Sequence, residues 1–324
     1  MAFRRSRCGE RIKLLIESMG KIAIYLAPMQ GYTDHYFRVA LHRCFGGVDM
    51  MFTPFMRLEG GALRRRDEKE LALLAAEPCT VPQILPKDAS EALALSRRLV
   101  EGGATRIDIN MSCPFVPVVK SGRGAGVFAS TSAVEQVLSV TEQMPEVTFS
   151  LKLRLGIDDA RGWQEHISAI NGARLSHVSM HARTAGQQYA GDAQRDEFAR
   201  FFEACSHPCV YNGDVHTIGE AEHVASQYDG LHAVMIGRAL VARPHLLAEG
   251  LPEGERMERL RDFYHSLSEV YEQHLCGTAQ WLDKMQSFWR LFLPDADRRL
   301  RKKILKTRKP EAFRAYVEEL LSSL

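Results

Sequence analysis

The sequence has no apolar run long enough to cross a membrane. It also lacks a Gly-x-Gly-x-x-Gly turn after its first apolar stretch, which argues against a dinucleotide-binding doubly wound sheet. Cysteine is sparse and scattered: Cys8, Cys44, Cys79, Cys113, Cys205, Cys209 and Cys276 include no Cys-x-x-Cys pair. Neither a zinc site nor a disulfide framework is expected, and Cys205 and Cys209 have no second pair of ligands beside them. No metal and a reducing, cytoplasmic setting are the expectation. Charge of one sign is also lacking, since 42 basic residues against 40 acidic leave a formal net charge of +2. Arg4, Arg5, Arg7 and Arg11 are not followed by the apolar core of a secretory leader. Residues 1–20 read as an N-terminal extension.

What is present is the composition of a soluble globular protein, 45% hydrophobic and 25% charged over 324 residues. Eight short apolar runs recur, at 22–28, 48–55, 81–85, 106–110, 147–153, 177–181, 208–212 and 233–237. The stretches between them can hold one helix each, and helical spacing is visible in 88–99, 131–140 and 163–170, more weakly in 218–226. Eightfold alternation of strand and helix predicts an α/β chain folded as a (β/α)8 TIM barrel over 21–245. Beyond it the pattern is helical only. Leu260, Phe263, Tyr264, Leu267, Val270 and Tyr271 mark one helix face, Leu282, Met285, Phe288, Trp289 and Phe292 a second, and Phe313, Val317, Leu320 and Leu321 a third. Residues 246–324 are therefore expected to form a C-terminal all-helical bundle domain. It is small enough that it should lean on the barrel.

Functional groups collect where the strands should end, the edge at which barrels place their chemistry. The run at 106–110 delivers the Asn110 amide and, just beyond it, the Cys113 thiol. Pro114 ends regular structure there, and Gly122, Gly124 and Gly126 allow a close approach to a ligand. A free cysteine is as readily a small buried hydrophobe; the company it keeps decides for a reacting group. Other strand ends carry Pro28-Met29-Gln30, Gln83, Lys152, His181, Asn212-Gly213-Asp214 and Gly237-Arg238. A lysine inside an apolar strand is costly to bury unless it meets an acceptor-rich ligand. Flavin mononucleotide (FMN) matches these groups: phosphate on the Gly213 and Gly237 amides with Arg238, pyrimidine edge on Lys152 and Gln83, ring against Pro28 and Met29. Cys113 would then protonate the carbon beside the one that receives a hydride.

Between Arg298 and Lys309, eight of twelve residues are Lys or Arg, with no acidic residue among them. A charge run is often a solvated helix face. This density points instead to a phosphate-backbone contact.

Three motifs carry a family resemblance. Leu26-Ala27-Pro28-Met29-Gln30-Gly31-Tyr32-Thr33-Asp34-His35-Tyr36-Phe37-Arg38, Asn110-Met111-Ser112-Cys113-Pro114 with Gly124-Ala125-Gly126, and His181-Ala182-Arg183-Thr184 with Gln187 and Tyr189 resemble the signatures of the tRNA-dihydrouridine synthases. The resemblance implies FMN-dependent, NADPH-driven reduction of the 5,6 double bond of selected uridines in tRNA. By it, Cys113 is the proton donor to C5. Pro28, Met29, Gln30, Gln83, Lys152, His181, Asn212, Gly213, Asp214, Gly237 and Arg238 hold FMN, while Asn110 and Arg183 lie near the target base. Val116 and Pro86 stand where the family often carries lysine and glycine. The basic tail residues Arg298, Arg299, Arg301, Lys302, Lys303 and Lys306 are the expected grip on tRNA, in a chain expected to be monomeric. A flavin barrel acting on a free pyrimidine, of the dihydroorotate dehydrogenase kind, shares the Asn-x-x-Cys-Pro loop but leaves that tail without a purpose. An RNA-binding barrel without catalysis is the third alternative.

Overall fold

The computed structural model describes residues 21–77 and 79–324, so the expected extension at 1–20 lies outside the described residues. Each of the eight apolar runs contributes to one parallel sheet: β1 (Ala23–Leu26), β2 (Met50–Phe52), a third strand in two pieces, then five more. Two short strands, β3 (Leu58–Glu59) and β4 (Ala62–Leu63), precede that third strand as an antiparallel hairpin that the sequence reading did not anticipate. The third strand is split into β5 (Thr80–Val81) and β6 (Gln83–Ile84) by Pro82, which has no N–H to give a neighbour. There follow β7 (Arg106–Met111), β8 (Thr148–Arg154), β9 (Leu175–His181), β10 (Cys209–Asn212) and β11 (Ala233–Ile236).

The order β5-β2-β1-β11-β10-β9-β8-β7-β6 begins and ends on the two halves of that one strand. The sheet is thereby a closed (β/α)8 barrel. Met56 N donates to Gln83 O at 2.8 Å and Leu85 N to Met56 O at 2.9 Å, which seals the ring across the break.

Four of the barrel helices start where a side chain offers an acceptor for their unpaired N–H groups. Asp34 caps His35–Phe45, Asp88 caps Ala89–Glu101, Ser130 caps Thr131–Leu138 and Thr217 caps Ile218–Ser226. Glu220 also reaches back to His216 N at 2.7 Å, so its helix is closed from both sides of the cap.

Alternation along the strands separates two faces. Ile24, Leu26, Ile107, Ile109, Leu151, Leu153, Val178 and Met180 join the large core under the helices. Tyr25, Ala27, Phe52, Val81, Val210, Ala233 and Met235 form a second, smaller apolar cluster inside the barrel. The residues that alternate with the outer set on β6 to β10 are largely polar: Gln83, Asp108, Asn110, Ser150, Lys152, Ser179, His181 and Asn212, all buried. The barrel is therefore greasy at one side of its interior and wired with hydrogen bonds on the other.

The C-terminal region holds four helices, Glu253–His274, Gly277–Trp289, Arg298–Lys306 and Pro310–Ser322, against the three expected. The additional one is the basic stretch, which Asp297 caps through Leu300 N at 2.7 Å and which buries Leu300 and Ile304 at i, i+4 spacing. The region packs against the barrel. Phe37 meets Phe263 with ring centroids 5.6 Å apart, Tyr271 Oη donates to Asp34 at 2.7 Å, and Lys284 Nζ reaches Gly31 O at 2.9 Å and Asp34 at 2.7 Å. No helix among the described residues is long and apolar enough to cross a membrane.

Candidate active site

A cavity of about 510 Å³ opens at the carboxyl ends of the strands. Its volume is that of a pocket for a small ligand or cofactor. Of the fourteen barrel residues named from the sequence, twelve line it: Pro28, Met29 and Gln30 after β1, Asn110 and Cys113 at the end of β7, Lys152 on β8, His181 on β9, Asn212 at the end of β10 with Gly213 and Asp214 after it, and Gly237 and Arg238 after β11. These stand far apart in sequence and meet because parallel strands all end on one rim.

The other two sit behind the wall. Gln83 is fully buried, with its amide held between Asp108 and Asn110. Arg183 is also buried; its Nη2 donates to Gly191 O at 2.6 Å and to Asp214 Oδ2 at 2.5 Å. Arg183 thus acts on the cavity through Asp214, which it shares with Arg238 at 3.2 Å. Burial would raise the Asp214 carboxyl, but the Arg183 hydrogen bond, the Ala193 N–H and the two guanidinium charges hold it below the usual range.

Lys152 is the buried cation of the site. Its Nζ donates to Asn212 Oδ1 at 3.0 Å and to Ser112 Oγ at 3.3 Å, leaving one of its three donors for a ligand. Burial, reinforced by the charge of Arg154, pushes its pKa down to about 7. His181 is held well below its ordinary pKa by burial and by the surrounding cations, and is therefore a neutral imidazole.

Cys113 sits at the mouth, on a turn made by Asn110: the Asn110 Oδ1 accepts Ser112 N at 2.8 Å and Cys113 N at 2.9 Å. Burial pushes the thiol up, against smaller opposing effects of the Phe115 N–H, Arg154 and Lys152. A thiol raised in this way stays protonated at neutral pH, which suits a proton donor better than a nucleophile. Gly124 is the reason the turn can close. It has φ +57°, and a Cβ there would stand 2.8 Å from Cys113 Cβ and 2.7 Å from Cys113 O. Gly124→Ala is expected to destabilise the protein by about 1–3 kcal/mol, read as a lowered Tm, and to displace the thiol.

Some wall residues were not assigned a role from the sequence. Arg154 lies two residues beyond Lys152 on the same face of β8, a spacing that could have flagged it. Burial lowers its pKa to about 10, and it donates to Ser112 O, Thr184 O and Gln188 O, all at 2.9 Å. Tyr189, quoted in the third motif, is half exposed with Arg238 4.9 Å from its ring centroid. Leu291 comes from the helical region, and nothing in its sequence context pointed to the barrel mouth.

The basic tail residues separate by burial. Arg298, Arg299, Lys302 and Lys306 are exposed. Lys303 is partly covered, its ammonium 4.9 Å from the Tyr316 ring centroid. Arg301, expected in the RNA grip, is engaged within the fold. Its guanidinium donates to the carbonyls of Trp289, Phe292 and Leu293 and so closes the end of the preceding helix. Among the described residues no group of three His, Cys, Asp or Glu is placed to hold a metal.

Comparison with known proteins agrees with this geometry. A sequence model described as dihydrouridine synthase matches residues 25–320. The tRNA-dihydrouridine synthase B of Pseudomonas putida is 32% identical over 232 residues, covering 70% of this chain and 67% of that protein. That of Vibrio vulnificus is 29% identical over 269 residues, covering 79% and 83%. Among solved structures, histamine dehydrogenase from Rhizobium sp. 4-9 superposes with a TM-score of 0.54 at 12% identity, over 75% of this chain and 48% of that one. The old yellow enzyme from Trypanosoma cruzi gives 0.50 at 11% identity, over 79% and 95%. At such identities the likeness speaks for the barrel alone. The family match spans the strand-tip cavity and the helical region together, so the chain belongs to the dihydrouridine synthase family and is an oxidoreductase.

Proposed function

We propose that the protein reduces the 5,6 double bond of selected uridines in tRNA, using FMN recharged by NADPH, with Cys113 as the proton donor to C5. The observation that carries this is the meeting of two sets of groups in one cavity. A proton-bearing thiol and an amide stand at its mouth, and a cation, a neutral imidazole and glycine-lined turns stand on its wall. The residues fit a flavin. Gly237 keeps that part of the wall bare: a Cβ there would be tight at 3.3 Å from Ala27 Cβ and in contact with Met29 Sδ at 3.4 Å, so glycine leaves its backbone open to a ligand. Gly213, Gly237 and Arg238 would hold a phosphate, with Asp214 aiming the guanidinium. The free donor of Lys152 would meet the acceptor edge of the ring, with Asn212 and His181 beside it, and Pro28, Met29 and Gln30 would cover one side.

When bound, the flavin supplies the hydride for C6 of the uracil. The chain does the rest. Asn110 and Cys113 receive the base at the mouth, the thiol proton goes to C5, and the thiolate left behind is stabilised by Arg154 and Lys152, whose charges already act on it. A uridine in folded RNA must be extruded to reach this depth, which costs about a few kcal/mol. We assign that cost to contacts on the helical region from 246 onward, and above all to Arg298, Arg299, Lys302 and Lys306.

The test is NADPH consumption by the purified protein with and without undermodified tRNA, with dihydrouridine counted by mass spectrometry. Turnover on free uracil or orotate, and none on tRNA, would overturn the reading. Replacing the four exposed tail cations by glutamine should lower the slope of log affinity against log salt by about 3, with flavin content unchanged. An unchanged slope would remove the helix from the RNA interface.

A further inference from the structure

A hydrogen-bond chain crosses the inner face of β6, β7 and β8, and the reaction above gives its inner end, Asp108, no role. Asp108 is fully buried and does not line the cavity. Its Oδ1 accepts the Ser150 hydroxyl at 2.6 Å, and its Oδ2 accepts Gln83 Nε2 at 2.6 Å. Gln83 Oε1 in turn accepts Asn110 Nδ2 at 2.6 Å. That leaves Asn110 Oδ1 facing outward, where it takes the backbone N–H groups of Ser112 and Cys113. Every donor in the chain points toward Asp108.

The direction is the informative part. A carboxamide has nearly the same shape either way round, so packing alone does not choose between its oxygen and its nitrogen. A carboxylate accepts and cannot donate. It makes Gln83 present Nε2, which turns Oε1 to Asn110, which turns Nδ2 inward and Oδ1 to the Cys113 turn. With a neutral amide at 108, which can donate as well as accept, that polarity is no longer imposed. A flipped Asn110 would then press its NH2 against two backbone N–H groups, and the turn would open.

We propose that Asp108 is a positioning residue for Cys113: its ionised carboxylate, acting through Gln83 and Asn110, orients the turn that holds the thiol at the cavity mouth. Burial pushes the Asp108 carboxyl up to about 6, against its two donors and the charge of Lys152, so it is mostly ionised at neutral pH. The activity consequence rests on the role proposed for Cys113; the geometric consequence does not.

Two variants of matched shape test this. Asp108→Asn should lower kcat for dihydrouridine formation, measured at saturating flavin, by about 30- to 100-fold, the scale of a displaced reacting group, with KM for tRNA close to wild type. Adding Gln83→Glu moves the charge one link along. The carboxylate then at position 83 can accept from Asn110 and from the amide introduced at position 108, so the double variant should recover about tenfold or more of the lost rate. A role in packing alone predicts no recovery. Iodoacetamide labelling of Cys113, followed at the level of its peptide, gives a readout free of catalysis: the rate should change in Asp108→Asn and return in the double variant. Wild-type kcat and labelling in Asp108→Asn, or no recovery of either in the double variant, would overturn the assignment. If Asp108→Asn does not fold, the double variant decides: folded with wild-type labelling it supports the relay, otherwise it sinks it. If the wild-type protein makes no dihydrouridine, the proposed function fails while the labelling still judges Asp108.

Discussion

Cys113→Ala is expected to lower dihydrouridine formation by about 10²- to 10⁴-fold, the range of a lost general acid, while tRNA affinity and flavin content stay near wild type. The expectation follows from where the thiol is and from its protonation state. It sits on the cavity mouth, fixed by the Asn110 side-chain Oδ1, which accepts its N–H at 2.9 Å. Burial raises its pKa above the ordinary thiol value, so the proton is present through neutral pH and is lost only in the alkaline range. Activity that depends on this proton should therefore fall as pH rises past the usual thiol region. Cys113→Ser, whose hydroxyl is a much weaker acid, should be severely slowed at all pH values. Single-turnover conversion of undermodified tRNA, measured by mass spectrometry, separates these outcomes from slow product release. Undiminished turnover in Cys113→Ala would hand the proton to another group.

The second large effect belongs to Lys152. Hydrogen bonds to a charged group contribute about 1.5–3 kcal/mol, so Lys152→Met should weaken flavin binding by about 10- to 100-fold. Its pH behaviour is the sharper test. In the ligand-free protein the Lys152 pKa is depressed to about 7 from 10.5. The cost of burying its charge is therefore fully present below pH 7 and is relieved as pH rises toward 10.5, where folded and unfolded chains are both neutral. A ligand that accepts a hydrogen bond from the ammonium favours the charged form and raises that pKa. Binding then takes up a proton in the window above pH 7, and flavin affinity falls as pH rises through it. Calorimetry in buffers of different ionisation enthalpy reads the proton uptake directly. Lys152→Met should show none from this group, and without flavin it should melt higher than wild type below pH 7 by a margin that shrinks as pH rises. An affinity flat in pH for wild type would mean that Lys152 does not face the ligand.

The eight apolar runs were legible because buried parallel strands write themselves as short hydrophobic stretches, wherever they end up in space. The chemistry at their ends was legible for a related reason. Once the strands form a barrel, every strand end reaches the same rim, so Lys152, His181, Asn212 and Gly237 could be grouped without knowing a single distance. Pro82 was visible in the sequence, but the consequence of its position, a strand split between the two ends of the sheet order, was not. The hairpin at Leu58–Leu63 was missed because two-residue strands carry no period to detect.

Other contacts were not legible because hydrogen-bond partners come from elsewhere in the chain. Arg301 read as part of a basic cluster, and the carbonyls of Trp289, Phe292 and Leu293, on a neighbouring element, claim it instead. Gln83 read as a flavin ligand, and the structure sets it between Asp108 and Asn110 behind the wall. Leu291 reaches the cavity from the turn after Gly277–Trp289, which no local pattern ties to the barrel. The sequence by itself determined which residues share a face of a strand and which strand ends carry polar groups, because those depend on a two-residue period within one element. Only the tertiary structure decided which atom donates to which, because Asp108, Gln83 and Ser150 lie on three strands and meet when the barrel closes.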